Sequence, residues 1–339
     1  MHYQPMYDFT LVVPQGAFAS SVTLTLDLLA TAAKLASRAG VAAPRWRVCG
    51  LSAGTIELAG GLQLQVANLP ARTNKHECWI LPGLDVDDAA QLGVRLAQPD
   101  VAPLAAALRR HAEAGGKIAA SCSSVFLLNA AGLLNGRCVT TTWWLASALR
   151  HAAPQARVEP DRMVHTDGPL ITAGAALAHV DLLLYVLRQR FGERLAAMLG
   201  QALLVERRRL QSPYMSPTMM APENGLIAQL TTHIAQTMPA PVTVGALALK
   251  ANVSTRTLNR QVTRVLGYGP QQLIQSVRLN KARALLESSG LSVEEVAAQV
   301  GLGDAATLRR LLRRRLDVTP SQIRGEGFAV DSSRPFPRQ

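Results

Sequence analysis

The sequence predicts an α/β domain with a mainly parallel sheet, followed by a smaller all-α domain that contains two helix-turn-helix units. Three observations lead to this prediction. The chain has 339 residues, about twice the length of an ordinary domain. Over the first two hundred residues, short β-like runs alternate with amphipathic segments, whereas the pattern after about residue 225 is helical throughout. Within that helical part, one stretch of sequence recurs at a lag of 49 to 50 residues.

The alternation in the first half favours parallel strands covered by helices on both faces. Strands are predicted at residues 9–13, 45–49, 78–81, 117–120, 139–142 and 170–172. Helices are predicted at residues 22–38, 101–114, 124–131, 144–151 and 176–189.

A linker is predicted between the two domains, because residues 206–225 contain three prolines and lose the helical period after Leu210. The predicted boundaries are residues 1–205 for the α/β domain, 206–225 for the linker, 226–330 for the helical domain and 331–339 for a tail.

Composition and charge narrow the class of protein. Apolar residues make up 48% of the chain, which excludes a mainly disordered protein. The net charge of +12 points to a polyanionic partner. Residues 1–220 hold 20 basic and 15 acidic side chains, and residues 221–339 hold 15 and 8, so the smaller part is the more basic.

No membrane segment or signal peptide is expected. The most apolar run, residues 171–187, is interrupted by charged and polar side chains, and the first ten residues lack a basic region followed by an apolar one. The expected location is therefore the cytoplasm. The four cysteines include no Cys-x-x-Cys pair, so we expect reduced thiols, no metal site and no cofactor.

Each copy of the repeat predicts one helix-turn-helix. Thr243 or Ser292 caps a short first helix, and Asn252 or Gly301 supplies a left-handed turn residue. The second helix is then capped by Ser254 or Asp304 and turns an apolar i, i+4 pair towards the core. These pairs are Leu258 with Val262, and Leu308 with Leu312. Residues 271–287 form a long helix between the copies, which could set their separation at about one turn of DNA, roughly 34 Å.

The outer face of each second helix is rich in arginine. Arginine can bind guanine edges in the major groove and can neutralise phosphates, so these faces predict DNA contact. A single such helix is more often a solvated surface, but two copies at matched spacing favour binding. The predicted exposed set is Arg256, Asn259, Arg260, Arg264, Arg309, Arg310, Arg313 and Arg314.

The stretches at residues 278–286, 292–297 and 300–304 resemble the AraC/XylS family DNA-binding domain. The resemblance covers about residues 243–324. It implies base contacts from the two second helices, at Arg256, Asn259, Arg260, Ala305, Ala306, Arg309 and Arg310. Val262, Leu273 and Asp317 depart from the family's usual Phe, Tyr and Gly, and the first two are expected in the core.

Cys122 stands at an abrupt strand-to-helix turn, the geometry of a nucleophile elbow, where a helix N-terminus would lower the thiol pKa. The segments at residues 117–137, 140–143 and 171–175 resemble the PfpI-like, class I glutamine amidotransferase-like domain. Together with the helical domain, they resemble the GlxA family of transcription regulators. This resemblance implies a flavodoxin-like sandwich that senses a ligand and dimerises.

A catalytic partner for Cys122 is missing from the pattern. Ser123 and Thr142 stand where enzymatic relatives carry histidine, and the loop at residues 14–21 lacks an acid. We therefore predict a regulator rather than an enzyme. A cysteine-dependent hydrolase or hydratase, a redox sensor and an inert buried thiol remain alternatives.

The expected ligand pocket lies at the strand ends near the elbow. Its predicted lining is Ser20, Ser21, Cys122, Ser123, Trp143 and Gly174. Trp143 could stack on an amine, and the family resemblance implies an amino acid or quaternary amine as effector. His179 is expected to make a structural hydrogen bond. The predicted protein is a dimeric, ligand-responsive activator, with double-stranded DNA, a small effector and RNA polymerase as partners.

Overall fold

The computed structural model describes residues 7–71, 74–205, 208, 210–211, 225–316 and 318–326. The chain divides into two compact units, Met1–Gln211 and Ser212–Gln339. Most of the predicted linker, the predicted tail and Asp317 lie outside the described residues. No helix among the described residues is long and apolar enough to span a bilayer.

The first unit is built on an eight-stranded, mainly parallel sheet with the strand order β3-β4-β2-β1-β5-β6-β10-β9. Only the β3–β4 and β9–β10 pairs at the two edges are antiparallel. Strands β7 and β8 form a separate parallel pair. The strands are β1 (Phe9–Val12), β2 (Trp46–Gly50), β3 (Gly54–Glu57), β4 (Gln63–Asn68), β5 (Cys78–Leu81), β6 (Lys117–Ser121), β7 (Cys138–Val139), β8 (Arg157–Val158), β9 (Val164–Asp167) and β10 (Leu170–Ala173).

Helices cover both faces of this sheet. The helices are α1 (Ala19–Ala39), α2 (Ala89–Leu96), α3 (Val101–Glu113), α4 (Val125–Ala130), α5 (Ala146–Ala152), α6 (Ala178–Phe191) and α7 (Glu193–Ala202). One core packs α1, α6 and α7 against the sheet, and the other packs α2 to α5 against the opposite face. Alternate side chains of one strand enter different cores: Leu11 lies in the first and Val12 in the second. The predicted fold class is confirmed.

One predicted strand is wrong in extent. Of the predicted residues 139–142, only Val139 lies in a strand. Together with Cys138 it pairs with β8, outside the main sheet. Thr140 leaves the ladder because its amide donates to the Thr172 hydroxyl of β10, at 2.9 Å. Thr141 is then held by its own hydroxyl, which donates to the Cys122 carbonyl at 2.7 Å. Thr140 and Thr141 are thus joined to β10 and to the elbow by hydrogen bonds that involve threonine hydroxyls, where a further strand was expected.

The second unit is helical in all its described elements. They are α8 (Gly225–Thr237), α9 (Val244–Lys250), α10 (Thr255–Leu266), α11 (Pro270–Ser288), α12 (Val293–Gln299), α13 (Ala305–Leu316) and α14 (Pro320–Glu326). One core joins α8, α9 and α10 to the first half of α11, and the other joins α12, α13 and α14 to its second half. The long central helix therefore supports two separate helix-turn-helix units.

Candidate functional site: two helix-turn-helix surfaces and a strand-to-helix elbow

The first helix-turn-helix consists of α9, a tight turn and α10. The Thr243 hydroxyl accepts a hydrogen bond from the Ala246 amide at 3.1 Å, and the Ser254 hydroxyl accepts one from the Thr257 amide at 3.1 Å. These bonds cap the two helices. Between them Asn252 adopts a φ of 53°, a left-handed conformation that Asn tolerates better than most residues. The predicted caps and turn residue are confirmed.

The second unit repeats this geometry in α12 and α13. The Ser292 hydroxyl accepts from the Glu295 amide at 3.1 Å, and the Glu295 carboxylate accepts from the Ser292 amide at 2.6 Å, which completes a capping box. Gly301 has a φ of 70°. Asp304 accepts from the Thr307 amide at 2.6 Å, and this bond lowers the pKa of the Asp304 carboxyl.

The second helices turn opposite faces to the core and to solvent. Leu258 and Val262 of α10, and Leu308 and Leu312 of α13, are completely buried. Leu273 is also fully buried, so the expected core positions are confirmed. The predicted outer sets are exposed on both helices: Arg256, Asn259, Arg260 and Arg264 on α10, and Ala306, Arg309, Arg310, Arg313 and Arg314 on α13.

Ala305 is the least exposed residue of the predicted contact set. It is the first residue of α13 but only 8% exposed, so its methyl group packs inward and offers little surface to a base. On the exposed face, Arg309 forms an ion pair with Glu294 of α12 at 3.1 Å. Both partners are more than half exposed, so this pair costs little to exchange for a phosphate or a base.

Arg278 of α11 ties the second helix-turn-helix to the segment before α9, which the sequence pattern did not reveal. Its guanidinium donates to the Gly301 carbonyl at 2.8 Å and to the Ala240 carbonyl at 3.0 Å. Only 9% of the residue is exposed, and burial lowers its pKa. Gly301 packs so closely there that an added Cβ would lie 2.1 Å from the Pro239 carbonyl oxygen. Arg278 thus positions the turn that aims α13.

The elbow in the first unit has the predicted shape. Strand β6 ends at Ser121, Cys122 has a φ of 58°, and a short 3-10 turn leads directly into α4. The Cys122 amide donates to the Gly174 carbonyl at 2.8 Å, which joins the elbow to the end of β10. Gly83 lies over the thiol: an added Cβ there would lie 3.1 Å from the Cys122 Cβ and 3.7 Å from Sγ.

The pKa of the Cys122 thiol is raised, contrary to the expected lowering. The residue is only 2% exposed, and burial raises the pKa of its thiol more than the Ser123 amide and the hydroxyls of Ser123 and Thr142 lower it. The Ser123 hydroxyl is also engaged elsewhere: it donates to the Leu84 carbonyl and accepts from the Leu84 amide, both at 2.8 Å. A buried neutral thiol is a poor nucleophile.

His179 is held by hydrogen bonds at both ring nitrogens. Its Nδ1 lies 2.8 Å from the Ser121 hydroxyl and its Nε2 lies 2.7 Å from the Thr25 hydroxyl. Both ring nitrogens are therefore occupied, and the predicted structural hydrogen bond is confirmed. Burial lowers the pKa of His179 to about 4, so the ring is neutral near pH 7.

The predicted ligand residues lie at the elbow, in the first turn of α1 and just after Thr142. Cys122, Ser123 and Gly174 are buried and adjacent at the elbow. Ser20 and Ser21 lie in the first turn of α1, where Ser20 is exposed and Ser21 is buried with its hydroxyl unpartnered. Trp143 is half-buried and meets Trp144 edge to face, with ring centroids 5.5 Å apart.

Two further features of the first unit escaped the sequence analysis. A cavity of about 910 Å³ is lined by residues of β9, α6 and α7, including Asp181, Tyr185 and Arg188. Separately, Cys138, Glu159 and His165 place one potential metal-ligand atom each within 4.8 Å of one another. The cluster already holds a cation, since Arg157 donates to the Cys138 sulfur at 3.3 Å and pairs with Glu159 at 3.2 Å. Cys138, Glu159 and His165 are not close together in the sequence, so no motif pointed to this cluster.

Comparisons with known proteins match each unit separately. The helix-turn-helix domain family matches residues 247–326, and the DJ-1/PfpI family matches residues 26–189. A crystal structure of an AraC family transcriptional regulator from Pseudomonas putida is 19% identical, covers 58% of this chain and all of that chain, and gives a TM-score of 0.46.

Individual transcription regulators are similar to longer stretches of the chain. The HTH-type transcriptional regulator GlxA of Rhizobium meliloti is 28% identical over 286 residues, which are 80% of this chain and 82% of the relative. The HTH-type transcriptional regulator CdhR of Pseudomonas aeruginosa is 30% identical over 201 residues, or 58% of this chain and 60% of the relative. The chain belongs to the DNA-binding transcription regulators that join a DJ-1/PfpI domain to an AraC-type helix-turn-helix domain.

Proposed function

We propose that the two helix-turn-helix units bind adjacent major grooves of one DNA duplex through their exposed second-helix faces. The carrying observation is the matched pair of capped helices, each with a buried apolar face and an arginine-rich outer face. A helix of 19 residues spans about 28 Å, and α11 has that length. This is close to the roughly 34 Å that separates successive major grooves on one side of DNA.

The proposed DNA contacts are divided between the two helices. Arg256, Asn259, Arg260 and Arg264 act from α10, and Ala306, Arg309, Arg310 and Arg313 act from α13. Arginines near the start of each helix are suited to base edges, and those farther along are suited to phosphates. Arg309 would exchange its ion pair with Glu294 for a contact to DNA.

The test is binding of the full chain to duplexes selected from a random pool, with scrambled duplexes as the reference. Arg260→Ala and Arg310→Ala should each weaken binding to the selected sequence by about 1–3 kcal/mol and change binding to scrambled DNA much less. Arg110→Ala removes one exposed charge from α3 in the other unit and serves as the matched control. Equal losses on both kinds of duplex would assign these arginines to phosphates and refute base contact.

The first unit is proposed to act as a ligand-responsive and dimerising domain rather than as an enzyme. Two features weigh against catalysis at the elbow: the thiol is buried with a raised pKa, and the ring nitrogens of His179 are both engaged by hydroxyls. The effector is proposed to be a small nitrogenous metabolite. An effector must favour one arrangement of the protein over another to change DNA binding.

Screening amino acids and amines by thermal shift, with mass spectrometry of each hit, separates sensing from catalysis. A compound that raises the unfolding midpoint and is recovered unchanged fits a sensor. A compound consumed by the wild type but not by Cys122→Ala would make the first unit an enzyme. Light scattering of the purified chain tests whether it is a dimer. Transcription with purified RNA polymerase tests whether it is an activator, and we propose that it acts in the cytoplasm.

A further inference from the structure

The side chain of Gln211 is buried inside the first unit although Gln211 is its last residue. Only 2% of the residue is exposed. Its amide nitrogen Nε2 lies 2.9 Å from the Pro160 carbonyl, 3.0 Å from the Thr141 carbonyl and 3.1 Å from the Arg162 carbonyl. The Thr140 hydroxyl is 3.3 Å away. Four oxygens therefore surround one nitrogen.

The other end of the carboxamide is also recognised. The Ala175 amide donates to the Gln211 Oε1 at 2.9 Å. Gly174 makes room for the group, because an added Cβ would lie only 1.9 Å from the Gln211 Cδ. We call the groups around the Gln211 carboxamide the carboxamide cradle. They are the Ala175 amide, the Thr140 hydroxyl and the carbonyls of Thr141, Pro160 and Arg162. The cradle adjoins the elbow, since the Gly174 carbonyl accepts from the Cys122 amide.

The cradle offers more acceptors than its occupant can use. A primary amide nitrogen carries two hydrogens, so it cannot satisfy four oxygens at once, whereas a primary ammonium group carries three. A quaternary ammonium group has no N–H and would leave the Pro160 and Thr141 carbonyls without the donor that Gln211 supplies, whereas the Arg162 carbonyl also accepts from the Thr140 hydroxyl at 3.0 Å. The cradle therefore fits an N–H-rich head group beside an oxygen acceptor, which is the chemistry of a primary amide or an α-amino acid.

We propose that Gln211 is an internal ligand, and that a primary amide or amino acid effector binds by displacing it from the carboxamide cradle. This inference rests on the ligand-responsive function proposed above and specifies its effector and its first step. Gln211 directly precedes the segment by which the chain enters the second unit. Its exit would free the side chain of the last residue of the first unit, whose backbone amide also donates to the Asp161 carbonyl at 2.8 Å.

Tethering has a measurable consequence. A side chain attached next to its site competes at an effective concentration on the order of millimolar, so it reduces the apparent affinity of a free ligand. Removing the carboxamide should therefore tighten binding of small ligands to the cradle. Acetamide is the matching probe, because Gln211→Ala deletes the atoms that acetamide contains.

The cradle is tested by thermal shift with acetamide, glycine, acetate and tetramethylammonium. Gln211→Ala should lower the unfolding midpoint of the first unit, and acetamide or glycine should restore it with a dissociation constant at least tenfold lower than for the wild type. Acetate and tetramethylammonium should not. In Gly174→Ala/Gln211→Ala, the added methyl group should abolish the rescue. Gln201→Ala, an exposed glutamine of α7, is the matched control.

The absence of rescue by both acetamide and glycine, or equal rescue by acetate or tetramethylammonium, would overturn the ligand chemistry. The link to regulation is tested on the same proteins with a selected duplex. Gln211→Ala should change DNA affinity or transcription at least threefold, and the rescuing probe should reverse the change. Rescue of stability with unchanged DNA binding would overturn the internal-ligand role while leaving the DNA-binding function intact. If neither the wild type nor any variant bound a duplex, the proposed DNA contacts would be refuted instead. The thermal-shift data would still test ligand binding at the carboxamide cradle.

Discussion

Replacing Arg278 by Met should destabilise the second unit and leave the first unit unchanged. Methionine keeps much of the apolar stem and removes both hydrogen bonds to the Gly301 and Ala240 carbonyls. A hydrogen bond from a charged donor contributes about 1.5–3 kcal/mol. Ala240 is exposed, so water can replace that bond, whereas Gly301 is half-buried. Burial of the guanidinium already opposes part of the gain, as its lowered pKa indicates. We expect a net loss of about 2 kcal/mol.

The two units can be followed separately in the full chain. All four tryptophans lie between residues 46 and 144, so tryptophan fluorescence reports the first unit. The far-ultraviolet signal sums the helices of both units, so unfolding of the second unit appears as the helical transition that fluorescence does not follow. Urea unfolding should show an earlier helical transition and an unchanged fluorescence transition. Arg283→Met, which removes an i, i+4 ion pair with Glu287 on the same helix, should cost no more than about 0.5 kcal/mol. Similar losses for the two variants, or a matching shift in fluorescence, would refute the role given to Arg278.

Three other perturbations have defined outcomes. The folded pKa of His179 is lowered to about 4, so the wild type has its full stability above pH 6.5 and loses up to about 3 kcal/mol as the pH falls to 4. His179→Gln should reduce this loss of first-unit stability below pH 6.5, measured as urea midpoints by fluorescence. A wild-type slope equal to that of the variant would contradict this. Gly301→Ala should lower the stability of the second unit by more than about 2 kcal/mol, because the added methyl group would meet the Pro239 carbonyl at a residue whose φ is 70°. Asn252→Gly, at the equivalent turn, should change the stability by less than about 1 kcal/mol. Similar urea midpoints for the two variants would count against the packing argument. Cys122 should react with iodoacetamide at pH 7 far more slowly than a free cysteine, as followed by peptide mass spectrometry, and rapid labelling of the folded protein would restore the reactive-thiol reading.

The features that the sequence predicted best are those formed by residues close together in the chain. Thr243, Ser254, Ser292 and Asp304 cap helices by bonds to amides three residues ahead, and a capping residue followed by an amphipathic period records such a bond directly in the sequence. The strand-to-helix turn at Cys122 is local in the same sense. Its backbone geometry could be predicted, because it depends on the order of a buried strand, a turn and a helix.

The features that were missed depend on contacts between distant residues or on weak patterns. Arg278 looks like one more cation on a basic helix until its partners, 23 and 38 residues away, are known. Strands β3, β4 and β9 lie at or beside the sheet edges. The first two are largely exposed and β9 is mostly half-buried, and all three lack the apolar run by which the buried strands were found. The thiol pKa was predicted with the wrong sign for a related reason. The helix N-terminus is visible in the sequence, whereas the cover provided by Gly83 over Cys122 is not.

The elbow has the backbone geometry of a nucleophile turn, and its thiol is buried. The turn at Cys122 is held by main-chain bonds to Gly174 and by the Thr141 hydroxyl, none of which requires a nucleophile. The catalytic demand falls instead on side chains that can change independently: here the Ser123 hydroxyl bonds to Leu84, and the His179 ring bonds to Ser121 and Thr25. These hydrogen bonds engage both side chains and leave the strand ends, the helix N-terminus and the neighbouring carbonyls in place. A surface of this kind can still bind a polar head group, and because binding needs no proton transfer, it is suited to a regulator that must release its ligand unchanged.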